Sequence, residues 1–518
     1  MSADPRRPVS RRSVPGRPLP EVRVVSVATP TAEPVPEDAT PLVTRAPEGV
    51  RASRGLAKEA RVTVRDGRAV LEVELDAAAP RPGWAGAVDH GLGHRRAGAA
   101  AARHLRDAQA TGPVVVDVPT AVSADRVGDL VLGYLLGARG QDVWAAEPAP
   151  VAPGLVVRVG SESSGDDAVT NASDDDDDDD EARIRQIVAD AQEAARATAL
   201  ARDLAGAPSD LKTPQWLVAR MAEALGEAGM QTHVLHGEAL VTAGFGGVLA
   251  VGGGSEAEPA VLLARRPGTG PRVLLVGKGV TFDTGGISVK PADGMHLMRT
   301  DMAGSAAVVA AAAAFCEDDH GPHADVDLTV VVPSAENMLS GSAYRPGDVV
   351  THVGGTTTEV SNTDAEGRMV LADGLAFGIA EADPDIVVDV ATLTGAMKVA
   401  LGMRTGAVMA SDDDLAERVS RAGAAVGERW WRLPLPDDLR PAVRSDIADL
   451  RQAPKGPGAI TAALFLEGFV DGRPWAHLDI AGPARSPEEI DEVGPVATGF
   501  ATRTLIGLLR ELADRPRA

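Results

Sequence analysis

Arg272-Val273-Leu274-Leu275-Val276-Gly277-Lys278-Gly279-Val280-Thr281-Phe282-Asp283-Thr284-Gly285-Gly286 is the stretch that decides the fold. Residues 272–276 are a short apolar run closed by glycine, the pattern of a parallel strand buried on both faces. A glycine-rich segment carrying a lysine and an aspartate follows. Asp301 comes next, at the mouth of an alanine-rich helix expected over 302–315. Open α/β sheets bind ligands in the loops at the carboxyl ends of their parallel strands, so polar groups here mark a site. Apolar runs at 247–251, 260–264, 328–332 and 386–390 also read as strands, with helices between them, notably at 369–382. The alternation predicts an α/β fold with a mixed, mostly parallel central sheet flanked by helices.

Ser361-Asn362-Thr363-Asp364-Ala365-Glu366-Gly367-Arg368 sets two carboxylates two residues apart, with a guanidinium two residues later. In extended chain, residues i, i+2 and i+4 project to one side, which would bring Asp364, Glu366 and Arg368 to one small volume. Two anions held that close repel each other unless cations neutralise them, and a pair of divalent metal ions answers that need. An isolated Asp-x-Glu is ordinarily solvated surface. The joint pattern at 278, 283, 290, 301, 364, 366 and 368 is what favours metal. A nucleotide loop is rejected, because Lys278 lacks the Gly-x-x-x-x-Gly-Lys-Ser/Thr spacing.

The segments Val276-Gly277-Lys278-Gly279, Phe282-Asp283-Thr284-Gly285-Gly286, Asp301-Met302 and Asn362 to Arg368 resemble the leucyl aminopeptidases, the cytosol aminopeptidase family. So do Glu336-Asn337-Met338, Arg345-Pro346-Gly347-Asp348, Ala391-Thr392-Leu393-Thr394-Gly395-Ala396 and His477-Leu478-Asp479-Ile480-Ala481-Gly482. The likeness runs from about 183 to the C-terminus and is slight before 165.

The resemblance implies a metalloaminopeptidase that removes N-terminal residues, leucine and other mainly apolar ones, from peptides with a free N-terminus. It assigns one metal to Lys278, Asp283, Asp301 and Glu366, and a second to Asp283, Asp364 and Glu366 with the Asp364 carbonyl. Lys278 would bind as a neutral amine. Four carboxylates would balance two divalent ions. Oxygen-rich donors suit Mn²⁺, Mg²⁺, Co²⁺ or Zn²⁺; the family commonly uses Zn²⁺ or Mn²⁺. Lys290 and Arg368 carry over as the catalytic pair, Lys290 as oxyanion donor and Arg368 as holder of a bicarbonate. Met298, Asn362, Thr392, Leu393 and Gly395 fall where substrate contacts would lie. Family members assemble as hexamers, so a homohexamer is expected.

Composition bounds the rest. The 518 residues suffice for two or three domains, and a formal net charge of −23 opposes binding to nucleic acid or an anionic membrane. Some relatives of the family bind DNA, and a regulatory scaffold is the competing reading; the complete ligand set counts against it. One cysteine, Cys316, makes no intramolecular disulfide and suits a reducing cytoplasm. No apolar run has the length of a membrane span, and the first 20 residues show no secretory signal. Residues 1–50, rich in Pro and Arg, are expected to be a disordered tail. Runs around 61–64, 71–75, 114–118 and 156–159, with helical stretches at 96–108 and 124–137, predict a smaller N-terminal α/β domain over 51–165. The unbroken aspartates from Asp174 to Asp180 place an acidic linker over 166–182. The catalytic domain would cover 183–518, opening on a helix to about 205 and a second helix capped by Thr213 with Pro214 in its first turn.

Overall fold

The run at 272–276 is a strand, and a sheet grows from it on both sides. The computed structural model describes residues 18–26, 40–45, 60–65, 68–74, 92–110, 114–118, 124–140, 150–159, 174–317 and 325–513. They divide into two compact units, Arg17–Arg196 with Glu488–Pro495, and Ala197–Pro487 with Val496–Ala518.

The first unit contains β1 (Val22–Ser26), β2 (Thr40–Arg45), β3 (Ala60–Arg65), β4 (Arg68–Glu74), α1 (Leu92–Asp107), β5 (Val114–Val118), α2 (Ala124–Gly137), β6 (Leu155–Val159) and most of α3 (Asp174–Gly206). Its sheet runs β1-β6-β5-β2-β4-β3, parallel except for the β3–β4 pair. Helices α1 and α2 pack together over Val131, Tyr134 and Leu135. Two differences from the sequence reading stand out. Residues 22–26 and 40–45, placed in a disordered tail by composition, form strands. Helix α3 begins at Asp174, so the aspartate run, read as linker, is helical, and the division between units falls inside α3. Seven consecutive aspartates repel one another, but the first turns of a helix favour negative charge.

The second unit continues with α4 (Pro214–Glu227), β7 (Gln231–His236), α5 (Glu238–Thr242), α6 (Gly246–Gly252), β8 (Ala260–Arg266), β9 (Arg272–Gly277), β10 (Gly279–Asp283), α7 (Ala303–Glu317), β11 (Asp327–Asn337), β12 (Val349–Thr351), β13 (Thr357–Glu359), α8 (Glu366–Ala382), β14 (Ile386–Ala391), α9 (Gly395–Leu401), β15 (Thr405–Ala410), α10 (Asp413–Ala425), β16 (Arg429–Arg432), β17 (Leu450–Arg451), α11 (Gly458–Glu467), β18 (Trp475–Asp479) and α12 (Thr502–Ala513). Thr213 caps α4 as expected, its hydroxyl accepting from Trp216 N at 3.2 Å.

The nine-stranded sheet runs β16-β15-β18-β14-β9-β11-β8-β7, with β10 beside β11. Its centre is parallel, through β18, β14, β9 and β11; β15–β18, β11–β8 and β8–β7 are antiparallel. Side chains of β9 alternate between two cores, Val273 and Leu275 facing one and Leu274 and Val276 the other. That alternation is why the strand is apolar at every position. Helices α4, α7 and α12 cover one face; α6, α8 and α11 cover the other. Among the described residues no helix is long and apolar enough to cross a membrane.

The run at 247–251 is a correction: it forms helix α6, not a strand. A short, wholly apolar run has no period to separate a buried strand from a buried helix. Asp373 on α8 fixes the helical choice by accepting from Val248 N at 2.8 Å.

Helix α7 lies close enough to β14 that a Cβ on Gly304 would sit 2.1 Å from the Val390 carbonyl oxygen. Gly226, within α4, has nothing within 4 Å of the same added atom. Gly304→Ala is therefore expected to destabilise the fold by about 1–3 kcal/mol, and Gly226→Ala to stabilise it by about 0.5–1 kcal/mol. Urea unfolding midpoints of the two variants test the contrast; a lower midpoint for Gly226→Ala, or an unchanged one for Gly304→Ala, contradicts it.

Candidate metal centre

The site forms where β9 and β14 end. Lys278 follows β9 directly, its N–H donating to Val390 O at 3.0 Å. The chain then shifts sideways into β10, which ends on Asp283. The segment read as a glycine-rich loop is thus partly strand, hydrogen-bonded to β11. Asp301 caps a 3-10 turn at Met295–Thr300 that leads into α7. Asp364 lies just before α8, and Glu366 and Arg368 lie in its first turn. This corrects the expectation of an extended Asp364–Arg368 segment. The residues converge because a helix begins at Glu366, not because of a pleat.

Asp283, Asp364 and Glu366 each present a carboxylate oxygen, and those oxygens lie within 4.8 Å of one another. Two lysines interleave with the acids. Lys278 Nζ contacts Asp301 Oδ2 at 2.8 Å, Glu366 Oε1 at 2.8 Å and Thr392 O at 3.0 Å. Lys290 Nζ contacts Asp283 Oδ2 at 2.7 Å and also pairs with Asp364. The Lys278 side chain passes under the start of α8, where a Cβ on Gly367 would come within 2.6 Å of Lys278 Cε. Glycine at 367 leaves room for that lysine to reach its partners.

The electrostatics follow from burial and crowding. Burial pushes the Lys278 ammonium toward neutrality, but the carboxylates of Asp301, Glu366 and Asp283 outweigh it and hold its pKa above the ordinary value. Lys290 behaves likewise, with Asp283 its strongest partner. Burial, then repulsion from Glu366 and Asp301, raises Asp283 well above the usual carboxylate range. Burial also raises Asp301 and Asp364, against the pull of the lysines. At Glu366 burial is overcome by Lys278 and Lys290, and its carboxyl is lowered. Burial lowers the Arg368 guanidinium to about 10, opposed by Glu366 and Asp479.

Arg368 Nη1 donates to Gln452 O at 2.5 Å, while its Nε is buried without a hydrogen-bond partner. Thr392 Oγ1 donates to Asp301 Oδ1 at 2.7 Å. Asn362 Oδ1 accepts from Asp364 N at 3.0 Å, closing the turn before α8. Met298 sits half-buried on the 3-10 turn, Leu393 is partly buried, and Gly395 opens α9 with free space where a side chain would be.

Sequence reasoning passed over a supporting set. Asn337 Nδ2 donates to Asp283 Oδ1 at 2.8 Å and to Thr363 O at 3.0 Å, and Tyr344 Oη donates to the same carbonyl at 2.8 Å. Asp479 accepts from Leu393 N and Thr394 N, both at 3.1 Å, and from Thr394 Oγ1 at 2.7 Å. Asn337 and Asp479 lie in motif blocks quoted above, but nothing in the sequence shows which way their side chains turn. His477 is fully buried with Nδ1 at 2.6 Å from Asp389 Oδ1. Cys316 is buried.

Residues 199–506 match the cytosol aminopeptidase family, catalytic domain. A probable cytosol aminopeptidase of Mycobacterium leprae is 40% identical over 434 residues, covering 81% of this chain and 78% of that one. Among solved structures, a bottromycin maturation enzyme, BotP, in complex with Mn is similar at a TM-score of 0.76 and 37% identity, covering 92% of this chain and 100% of that one. A mutant tomato leucine aminopeptidase is similar at a TM-score of 0.77 and 27% identity, covering 95% and 97%. With its carboxylate cluster at the sheet end, this chain belongs to the cytosol aminopeptidase family, as a metal-dependent hydrolase of N-terminal peptide bonds.

Proposed function

We propose that the chain is a two-metal aminopeptidase that releases leucine and other mainly apolar first residues from peptides with a free N-terminus. The convergence of Asp283, Asp364 and Glu366 within 4.8 Å, backed by Asp301 and Lys278, is the observation that carries this reading. The donor set fits divalent ions. Asp301 Oδ2 and Asp364 Oδ1 are buried and meet an ammonium charge but no directed hydrogen bond, so each keeps lone pairs turned into the cluster. Oxygen donors with one amine suit Mn²⁺ or Zn²⁺. Lys278, Asp283, Asp301 and Glu366 would hold one ion; Asp283, Asp364 and Glu366 with the Asp364 carbonyl would hold the other. Such ions supply Lewis-acid polarisation of the scissile carbonyl and a nucleophilic water at neutral pH.

The chain's own groups do the rest. To serve as a ligand, Lys278 gives up a proton from Nζ, so metal loading releases protons. Lys290 keeps its proton and donates a hydrogen bond to the carbonyl oxygen as negative charge develops there. Arg368 can grip a planar anion such as bicarbonate with its guanidinium fork, and its unpartnered Nε is a donor for it. Met298, Asn362, Thr392, Leu393 and Gly395 line the approach for the first residue, with Thr392 also orienting Asp301. The working form is a cytoplasmic homohexamer.

Asp364→Ala and Glu366→Ala are each expected to abolish leucine-amide hydrolysis with the thermal midpoint retained, and full activity in either purified variant refutes the site. In the wild type, elemental analysis should find two divalent ions per chain; a chelator should inactivate, and Mn²⁺ or Zn²⁺ should restore. Asn337→Ala is expected to weaken metal binding about 10- to 100-fold, by freeing Asp283 and the Thr363 carbonyl. Titration calorimetry reads this directly, and unchanged affinity contradicts it. A sedimentation mass near that of one 53.3 kDa chain rules out the hexamer.

A further inference from the structure

Arg485 is a cation near the site that the chemistry above does not use. It is partly buried, and among the described residues its guanidinium has no hydrogen-bond or ion-pair partner. Burial lowers its pKa, and the charge that opposes this is the carboxylate of Asp301. Asp301 is itself already engaged by Lys278 and Thr392.

The backbone fixes where Arg485 stands. On its upstream side, Asp479 accepts from Ala481 N at 3.0 Å as well as from Leu393 and Thr394, which straps the chain leaving β18 to the loop carrying Thr392. On its downstream side, Arg485 and Ser486 pair with Ala497 and Val496 in a short antiparallel ladder. Thr498 secures the ladder, its N–H donating to Ala484 O at 3.1 Å and its hydroxyl to Pro483 O at 2.5 Å. The Val496–Ala497 strand packs against the 3-10 turn that carries Met298 and ends on Asp301. Arg485 therefore stands on a segment anchored upstream beside Leu393–Thr394, through Asp479, and downstream beside the 3-10 turn at Met295–Thr300, through Val496–Ala497, with the Asp301 carboxylate the charge that acts on it. Val496 is held at φ +71°, a region β-branched residues avoid, and such held backbone clusters where a site needs a fixed geometry.

A guanidinium taken partly out of water gains most from a planar anion that its fork can grip. The geometry points to Arg485 as a specificity-determining residue that recognises a carboxylate carried by the peptide substrate. This rests on the assignment of the cleft as the aminopeptidase site and extends it from apolar to anionic substrates. A substrate offers that carboxylate in two places, the side chain of an acidic first residue and the C-terminus of a dipeptide.

The experiment compares kcat/KM for metal-loaded wild type, R485L and R485Q on five substrates: leucine amide, glutamate α-amide, glutamine α-amide, Leu-Gly and Leu-Gly amide. Two wild-type ratios are read, glutamate over glutamine amide and Leu-Gly over Leu-Gly amide. Both variants are expected to lower at least one ratio about tenfold or more, mainly through KM, as loss of uniform binding requires. A fall in the first ratio assigns the first residue's side chain; a fall in the second assigns the substrate C-terminus. Both ratios staying within about twofold of wild type, a difference below 1 kcal/mol, overturns the proposal. A wild type inactive on leucine amide and on all the others sinks the site assignment itself, and Arg485 with it.

Discussion

Four carboxylates, those of Asp283, Asp301, Asp364 and Glu366, crowd the carboxyl end of the sheet with two lysines between them, and neither set is stable there alone. An uncompensated buried ion costs several kcal/mol even after relaxation. The lysines therefore act as internal counterions, each bridging two acids. The same arrangement keeps the acids close enough to share incoming cations. Compensation by lysine and compensation by metal are alternatives, and the cluster is built so that the first can give way to the second.

That electrostatic centre is held by ordinary sheet geometry. β9 and β14 run side by side and end together, which sets Lys278 next to the loop at Thr392. β10 and β11 pair so that Asp283 lies opposite Asn337. From there Asn337 ties Asp283 to the Thr363 carbonyl, and so to the turn that delivers Asp364. The core beneath alternates between two apolar layers, and Lys278, Asp283 and the loop at Thr392 all stand at the ends of strands of the sheet packed between them.

Much of this was legible in the sequence. The strands at 272–276 and 386–390 stood out because a strand buried on both faces must be apolar throughout. The acidic motif and Lys278 stood out because such charges at a strand end have no structural excuse. What escaped was orientation. Asp364, Glu366 and Arg368 looked like alternate residues of an extended segment, yet α8 begins at Glu366; the local spacing fits both readings, and tertiary packing against β9 and β11 decides. The run at 247–251 was misread for lack of a period. β1 and β2 were missed because their Pro-rich surroundings hide five- and six-residue strands. Arg485 carries no motif, and only the ladder to Val496–Ala497 reveals its place.

The wide sequence separation of the charged groups has a consequence for the nascent polypeptide. Lys278, Asp283 and Asp301 emerge well before Asp364 and Glu366, and the loop at Thr392 is still tethered by Asp479, later again. A partial chain lacking β18 keeps the contacts of Thr392 with Lys278 and Asp301 but lacks the carboxylate that receives Leu393 and Thr394. The loop that follows β14 therefore takes its final set of hydrogen bonds only once synthesis has passed residue 479.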